Sequence, residues 1–181
     1  WDVGGHDFIN FDDPNYVSGN ARIQKGLTLE GIHWAFTTFH TGNWHPLAWI
    51  SHMVDVSLFG VSPGRHHQVN LFFHLLNAIL LFLLLKKMTV ARWPSFFVAC
   101  LFAVHPLHVE SVAWISERKD LLSAFFGMLT LLAYFGYVSQ EKRSYYLAAV
   151  FFCKLLCFSL GALSPSMKLV FIRGFAFCDW F

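Results

Sequence analysis

The amino-acid sequence predicts an all-α protein, a polytopic bundle of transmembrane helices, and three observations predict it. The 181 residues are 56% hydrophobic and only 13% charged, whereas soluble domains carry about 25% charged residues. Apolar runs of near-bilayer length recur between residues 67 and 163, a hydrocarbon core requiring about 20 residues of helix. Phenylalanine supplies 21 residues and tryptophan 7, which suits lipid contact and the aromatic belts at a membrane interface. The net charge of +2 gives no nucleic-acid footprint.

Residues 1–66 read as an extracytoplasmic loop carrying interfacial amphipathic helices. Asp12-Asp13-Pro14-Asn15, Ser18-Gly19-Asn20 and Gly26 are turn chemistry. Thr28 and Glu30 open a helical stretch from Leu29 to His40, and a second runs from His45 to Phe59. Both are too polar and too short to span, so they are expected to lie in the interface. The tryptophans at 34, 44, 49 and 114 read as interfacial belt.

Residues 67–163 contain four expected spans, at about 67–85, 93–109, 121–138 and 145–163. His74 lies two turns inside the first and is expected to bond a neighbouring helix, beside Asn70 and Asn77. Residues 164–181 form a tail that reads as the start of a further span, interrupted by Arg173 and Gly174. The chain opens in a polar loop with no initiator Met, so it is expected to be cut at the N-terminus. Cys100, Cys153, Cys157 and Cys178 sit in apolar runs without a CxxC pair, which predicts neither a disulfide framework nor a zinc site.

Charge gives the orientation. The loop after the first span carries Lys86, Lys87 and Arg92 without an acid, and the loop after the third carries Glu141, Lys142 and Arg143. The positive-inside rule places these in the cytoplasm. The loop with Glu117, Arg118, Lys119 and Asp120 then faces outward, together with everything before His67. Two polar clusters distant in sequence are thereby expected on one membrane face.

The first cluster holds Asp12 and Asp13. Paired acids supply a general base with an orienting partner, or oxygen ligands for a divalent cation; the plainer reading is a turn ahead of Pro14. The second is His105-Pro106-Leu107-His108-Val109-Glu110, followed by Arg118 and Asp120. Pro106 ends or kinks its helix. Ionisable groups at membrane depth are functional candidates, against the alternative of a hydrated loop. Eight of the ten histidines precede residue 75, but their spacing is irregular and assigns no metal ligand.

The runs FINFDDPNYV, WAFTTFHTGNWHPLAWISHMVDVSLFG, PGRHHQVNLFFHLLNAILLFLLL and LFAVHPLHVESVAWISERKDLLSAFF together resemble the GT-C glycosyltransferases. The nearest branch is the transmembrane-and-tetratricopeptide-repeat (TMTC-like) proteins, similar to protein O-mannosyltransferases. The resemblance covers about residues 6–138. It implies a GT-C-like fragment of a membrane enzyme. Such enzymes move a sugar, here mannose, from a polyprenyl-phosphate carrier to Ser or Thr hydroxyls of an acceptor protein at the periplasmic or lumenal face. It implies Asp12, Asp13 and Glu110 as catalytic acids, and His105, His108, Arg118 and Asp120 as the groups that meet the lipid phosphate or substrate. A cofactor is not required by the resemblance, and a divalent cation (Mg or Mn) is the one it leaves open. The family usually continues into more spans and tetratricopeptide repeats, so this piece alone is expected to be inactive. Two other classes compete. A histidine-rich metal or haem protein would place histidines inside facing helices, where only His74 clearly falls. A transporter or structural subunit would place polar groups at the bilayer midplane, where these spans are apolar.

Overall fold

The computed structural model describes residues 3–10 and 12–160, and the expected tail at 164–181 lies outside them. Among the described residues every regular element is helical. The helices are α1 (Ala21–Gln24), α2 (Leu29–Thr37), α3 (Pro46–Phe59), α4 (Pro63–Thr89), α5 (Arg92–Val104), α6 (Val109–Ala113), α7 (Arg118–Gln140) and α8 (Arg143–Leu160).

Two helices are long and apolar enough to cross a membrane, Pro63–Thr89 and, counted with the turn before it, Ile115–Gln140. A third crossing is made if the bent pair Arg92–Val104 and Pro106–Ala113 counts as one span. Their burial is that of a membrane protein. On α4 the polar Asn70, His74 and Asn77 are buried, while Phe72, Leu75 and Ile79 are at least half exposed. Asn70, His74 and Asn77 are spaced i, i+4 and i+7, hence on one face, and lipid makes that face the one that must find partners. His74 Nε2 donates to the Ala103 carbonyl at 3.0 Å, and Asn77 Nδ2 to the Leu121 carbonyl at 3.0 Å. α4 is thereby held between α5 and α7, and α8 packs along α7.

The four expected spans fall on α4, α5, α7 and α8 with shifted ends, and among the described residues α8 is not one of the helices long and apolar enough to cross. α4 begins four residues before His67, because Pro63 occupies a first-turn position where its missing N–H costs nothing. The second expected span, 93–109, is broken. His105 is extended (φ −69°, ψ 129°) ahead of Pro106, as steric contact with the proline ring requires, and the chain turns by 52° there. The end of the fourth expected span, 161–163, lies outside the described residues.

Residues before 60 do more than lie along an interface. Tyr16, Val17, Ile23, Ala35, Trp49, Met53 and Val56 pack together, and Ile115 from the head of α7 joins them. Trp44 and Trp49 are 3% and 0% exposed. They are therefore core residues of a packed cap, correcting the interfacial-belt reading for these two. Local capping builds this unit. The Asn20 side chain accepts from the Arg22 and Ile23 amides, and Thr28 Oγ1 accepts from the Gly31 amide, both N-cap arrangements. The other end of α8 meets the cap through Phe158, whose ring lies 5.5 Å from that of Trp44.

Candidate functional site

The cap, the head of α4 and the bend between α5 and α6 enclose a cavity of about 500 Å³. His6, Asp7 and Ile9 close one side, His67, Leu71 and His74 come from α4, and Ala103, Val104, His105, His108, Val109, Val112 and Ala113 line the bend. The wall is mostly apolar, and its polar groups are chiefly imidazoles. The ring centroids of His74 and His108 are 5.7 Å apart, those of His105 and His108 6.0 Å, and those of His6 and His67 6.0 Å. The bend creates this grouping. With His105 extended, the Leu107 amide donates to His105 Nδ1 at 3.2 Å, and His108 is carried back over the ring of Phe102. Gly64 lets the N-terminal segment lie against α4, since a Cβ there would sit 2.1 Å from the Gly4 carbonyl oxygen.

Asp13 lies behind Ile9 and is fully buried. Its Oδ2 accepts the Ile9 amide at 2.8 Å and its Oδ1 the Ser116 amide at 3.3 Å. Burial raises its pKa above the usual carboxylate value, and the two amide bonds and nearby His67 partly offset this. One carboxylate thus joins the first loop to the segment that leads into α7. Asp12 is different. Its backbone carbonyl accepts the Asn15 and Tyr16 amides, forming the turn at Pro14, and its residue remains partly exposed.

Arg118 is fully buried at the head of α7. Nε donates to Asn70 Oδ1 at 2.7 Å, Nη1 to Ser51 Oγ at 3.0 Å and to Asp55 Oδ2, and Nη2 to the His66 carbonyl at 2.9 Å. Asn70 in turn donates to the Val112 and Trp114 carbonyls at 3.3 and 3.2 Å. This network clamps α3, α4 and the break before α7. The resemblance implied a phosphate or substrate contact for Arg118; its guanidinium is directed at protein acceptors, and it does not line the cavity.

The seven sequence candidates therefore separate. His105 and His108 line the cavity, Asp13 stands behind its wall, and Arg118 holds the frame. Asp12 is partly exposed, Glu110 and Asp120 are exposed, and all three lie outside the lining. Glu117 pairs instead with Lys119 at 2.7 Å. Sequence reasoning missed Asp55, Ser51 and His67. A buried acid on a short helix was a readable signal for Asp55, since an uncompensated charge there demands a cation.

Comparison with known proteins follows this geometry. The chain is 32% identical over 179 residues to the protein O-mannosyl-transferase TMTC1 of Mus musculus, covering 92% of this chain and 19% of that protein. It is 32% identical over 175 residues to the Tmtc1 protein O-mannosyl-transferase of Drosophila melanogaster, covering 86% and 20%. Against the tmtc2 protein O-mannosyl-transferase of Xenopus laevis it is 31% identical over 160 residues, covering 84% and 18%. The chain spans about a fifth of the length of the first two relatives. No family model matches it, and no solved structure does.

Proposed function

Since the chain is a TMTC-like sequence, we propose that it forms the part of a membrane glycosyltransferase that brings a lipid-linked sugar to an acceptor hydroxyl. The substrate classes are a polyprenyl-phosphate-linked mannose and a Ser or Thr hydroxyl of a protein. The charge pattern of the loops supports a reaction on the periplasmic or lumenal side. The observation that carries the reading is the cavity: an apolar chamber at the end of the bundle, ringed by imidazoles and backed by Asp13. An apolar wall accepts the first isoprene units of a carrier, and His105 and His108 in that wall offer imidazoles to its phosphate.

The residues divide the work. The acceptor oxygen must lose a proton as it attacks the anomeric carbon. Asp12, the partly exposed carboxylate, takes that proton. Asp13 is the anchor that holds Asp12 and Ile9 against the Ser116 segment. The leaving phosphate gathers negative charge, and N–H donors of His105 and His108 stabilise it in a water-poor site. Arg118 acts through Asn70 and the 112–116 backbone as a positioning residue. Glu110 and Asp120, exposed at the same end of the bundle, meet the acceptor. No step in this scheme needs a divalent cation.

The test is mannosyl transfer by the full-length protein from a polyprenyl-phosphate donor to an acceptor peptide. Asp12→Asn is expected to lower kcat by 10²-fold or more, the order of one general-base contribution, with membrane insertion unchanged. Wild-type rates in both Asp12→Asn and the His105→Ala, His108→Ala double variant would refute the assignment.

A further inference from the structure

A second cluster of ligating groups lies outside the cavity. His52 and Asp55 are three residues apart on α3, hence on one face, and His66 reaches them from the first turn of α4. One ligand atom from each lies within 4.8 Å of the other two. His52 and His66 are 0% exposed and Asp55 is 4% exposed.

These imidazoles are left unsatisfied by the protein. Both ring nitrogens of His52 and both of His66 are buried without a hydrogen bond. A neutral imidazole carries one donor and one acceptor, and each buried polar atom left unpaired costs about 1–3 kcal/mol. His66 Nδ1 lies 3.0 Å from Asp55 Oδ2, yet makes no aligned hydrogen bond to it. Two ligand atoms on one zinc ion, with bonds of about 2.0–2.2 Å, stand roughly 3–3.5 Å apart. The pair is therefore spaced as neighbours in a coordination shell.

We infer that His52, Asp55 and His66 bind a borderline transition-metal ion of the zinc class, which ties α3 of the cap to the head of α4. The donor set sets the selectivity. Two imidazoles and one carboxylate suit zinc or cobalt. Magnesium and calcium prefer oxygen shells and gain less from a site with one carboxylate. Arg118 shares that carboxylate through Oδ2, and its charge opposes the ion. Oδ2, the oxygen spaced from His66 Nδ1 as a co-ligand, is therefore shared between the ion and the guanidinium, which Asn70, Ser51 and the His66 carbonyl keep in place. The role is structural, because the site is buried and does not line the cavity. It is independent of the sugar-transfer reading.

The experiment uses the full-length protein, purified in detergent through a tag that contains no histidine, stripped with a chelator and reloaded. Cobalt is the optical probe. One equivalent is expected to give the intense visible band of a tetrahedral site, displaced by zinc and not by a large excess of magnesium. His52→Gln and His66→Gln are each expected to weaken cobalt binding at least roughly 100-fold, while His105→Gln in the cavity leaves it unchanged. A folded wild-type protein that binds neither cobalt nor zinc overturns the inference, and so do folded His52 and His66 variants that bind like wild type. Should both variants fail to fold, the wild-type cobalt spectrum decides: a weak octahedral band overturns the site, and a tetrahedral nitrogen-ligated band supports it.

Discussion

Asp13→Asn separates an anchor from a catalyst. In the native protein one carboxylate accepts two backbone amides, Ile9 at 2.8 Å and Ser116 at 3.3 Å, in a fully buried setting. Asparagine keeps one acceptor oxygen and turns an NH2 group toward the other amide. One of the two donors is then left facing a donor, at about 1–3 kcal/mol for a buried unpaired group. The remaining bond loses its charge assistance, about 1 kcal/mol more. The expected loss is roughly 2–4 kcal/mol, most of it at the contact between the first loop and the head of α7. Asp12→Asn removes no such bond, since the Asp12 backbone carbonyl holds the turn, and should change stability by less than about 0.5 kcal/mol. Denaturant titration of the full-length protein, followed by tryptophan emission, reads the difference because Trp49 is stacked on Tyr16 within the cap core. Amide exchange gives a second reading, with protection lost at Ile9 and Ser116 in the Asp13 variant. Equal unfolding midpoints for the two variants, with both amides still protected, would remove the anchor role.

Three further outcomes are expected. Asp55→Asn leaves the buried Arg118 guanidinium without its carboxylate and should cost about 3–5 kcal/mol, while Asp55 and Arg118 replaced together by apolar residues should cost less than the sum, as a double-mutant cycle of unfolding would show. Asn70→Leu removes the bonds to Arg118, Val112 and Trp114, so it should lower the unfolding midpoint clearly more than Asn77→Leu, which removes a single helix contact worth about 0.6 kcal/mol in membrane bundles. The cap should also weaken in acid. Burial, with Lys119 and His40 adding to it, pulls the pKa of His45 from 6.5 down to about 4. Its contribution is complete above pH 6.5 and is lost as the pH falls toward 4, because the unfolded chain takes the proton first. At about 1.4 kcal/mol per pH unit the window amounts to roughly 3 kcal/mol, and His45→Phe should flatten the stability profile there.

The parts of this fold legible in the sequence are those a solvent or a single residue dictates. Lipid admits only apolar helices with their backbone satisfied internally, so the helices centred on residues 76 and 129 follow from composition. Pro106 marks its own break, and the exposed Phe72 and Ile79 beside buried Asn70 and Asn77 follow from helical spacing once one face is known to meet lipid. The site is different in kind. Asp13 and Arg118 stand out as ionisable groups near apolar sequence, but their partners are 103 residues away for the Ser116 amide and 63 for Asp55. No periodicity within either segment encodes those distances, and a charge near a span reads equally as a phosphate ligand or as half of a buried pair. Its surroundings decide, because a guanidinium that meets Asp55, Asn70, Ser51 and a backbone carbonyl is already neutralised and hydrogen-bonded without a substrate. His105 and His108, in contrast, line the apolar cavity.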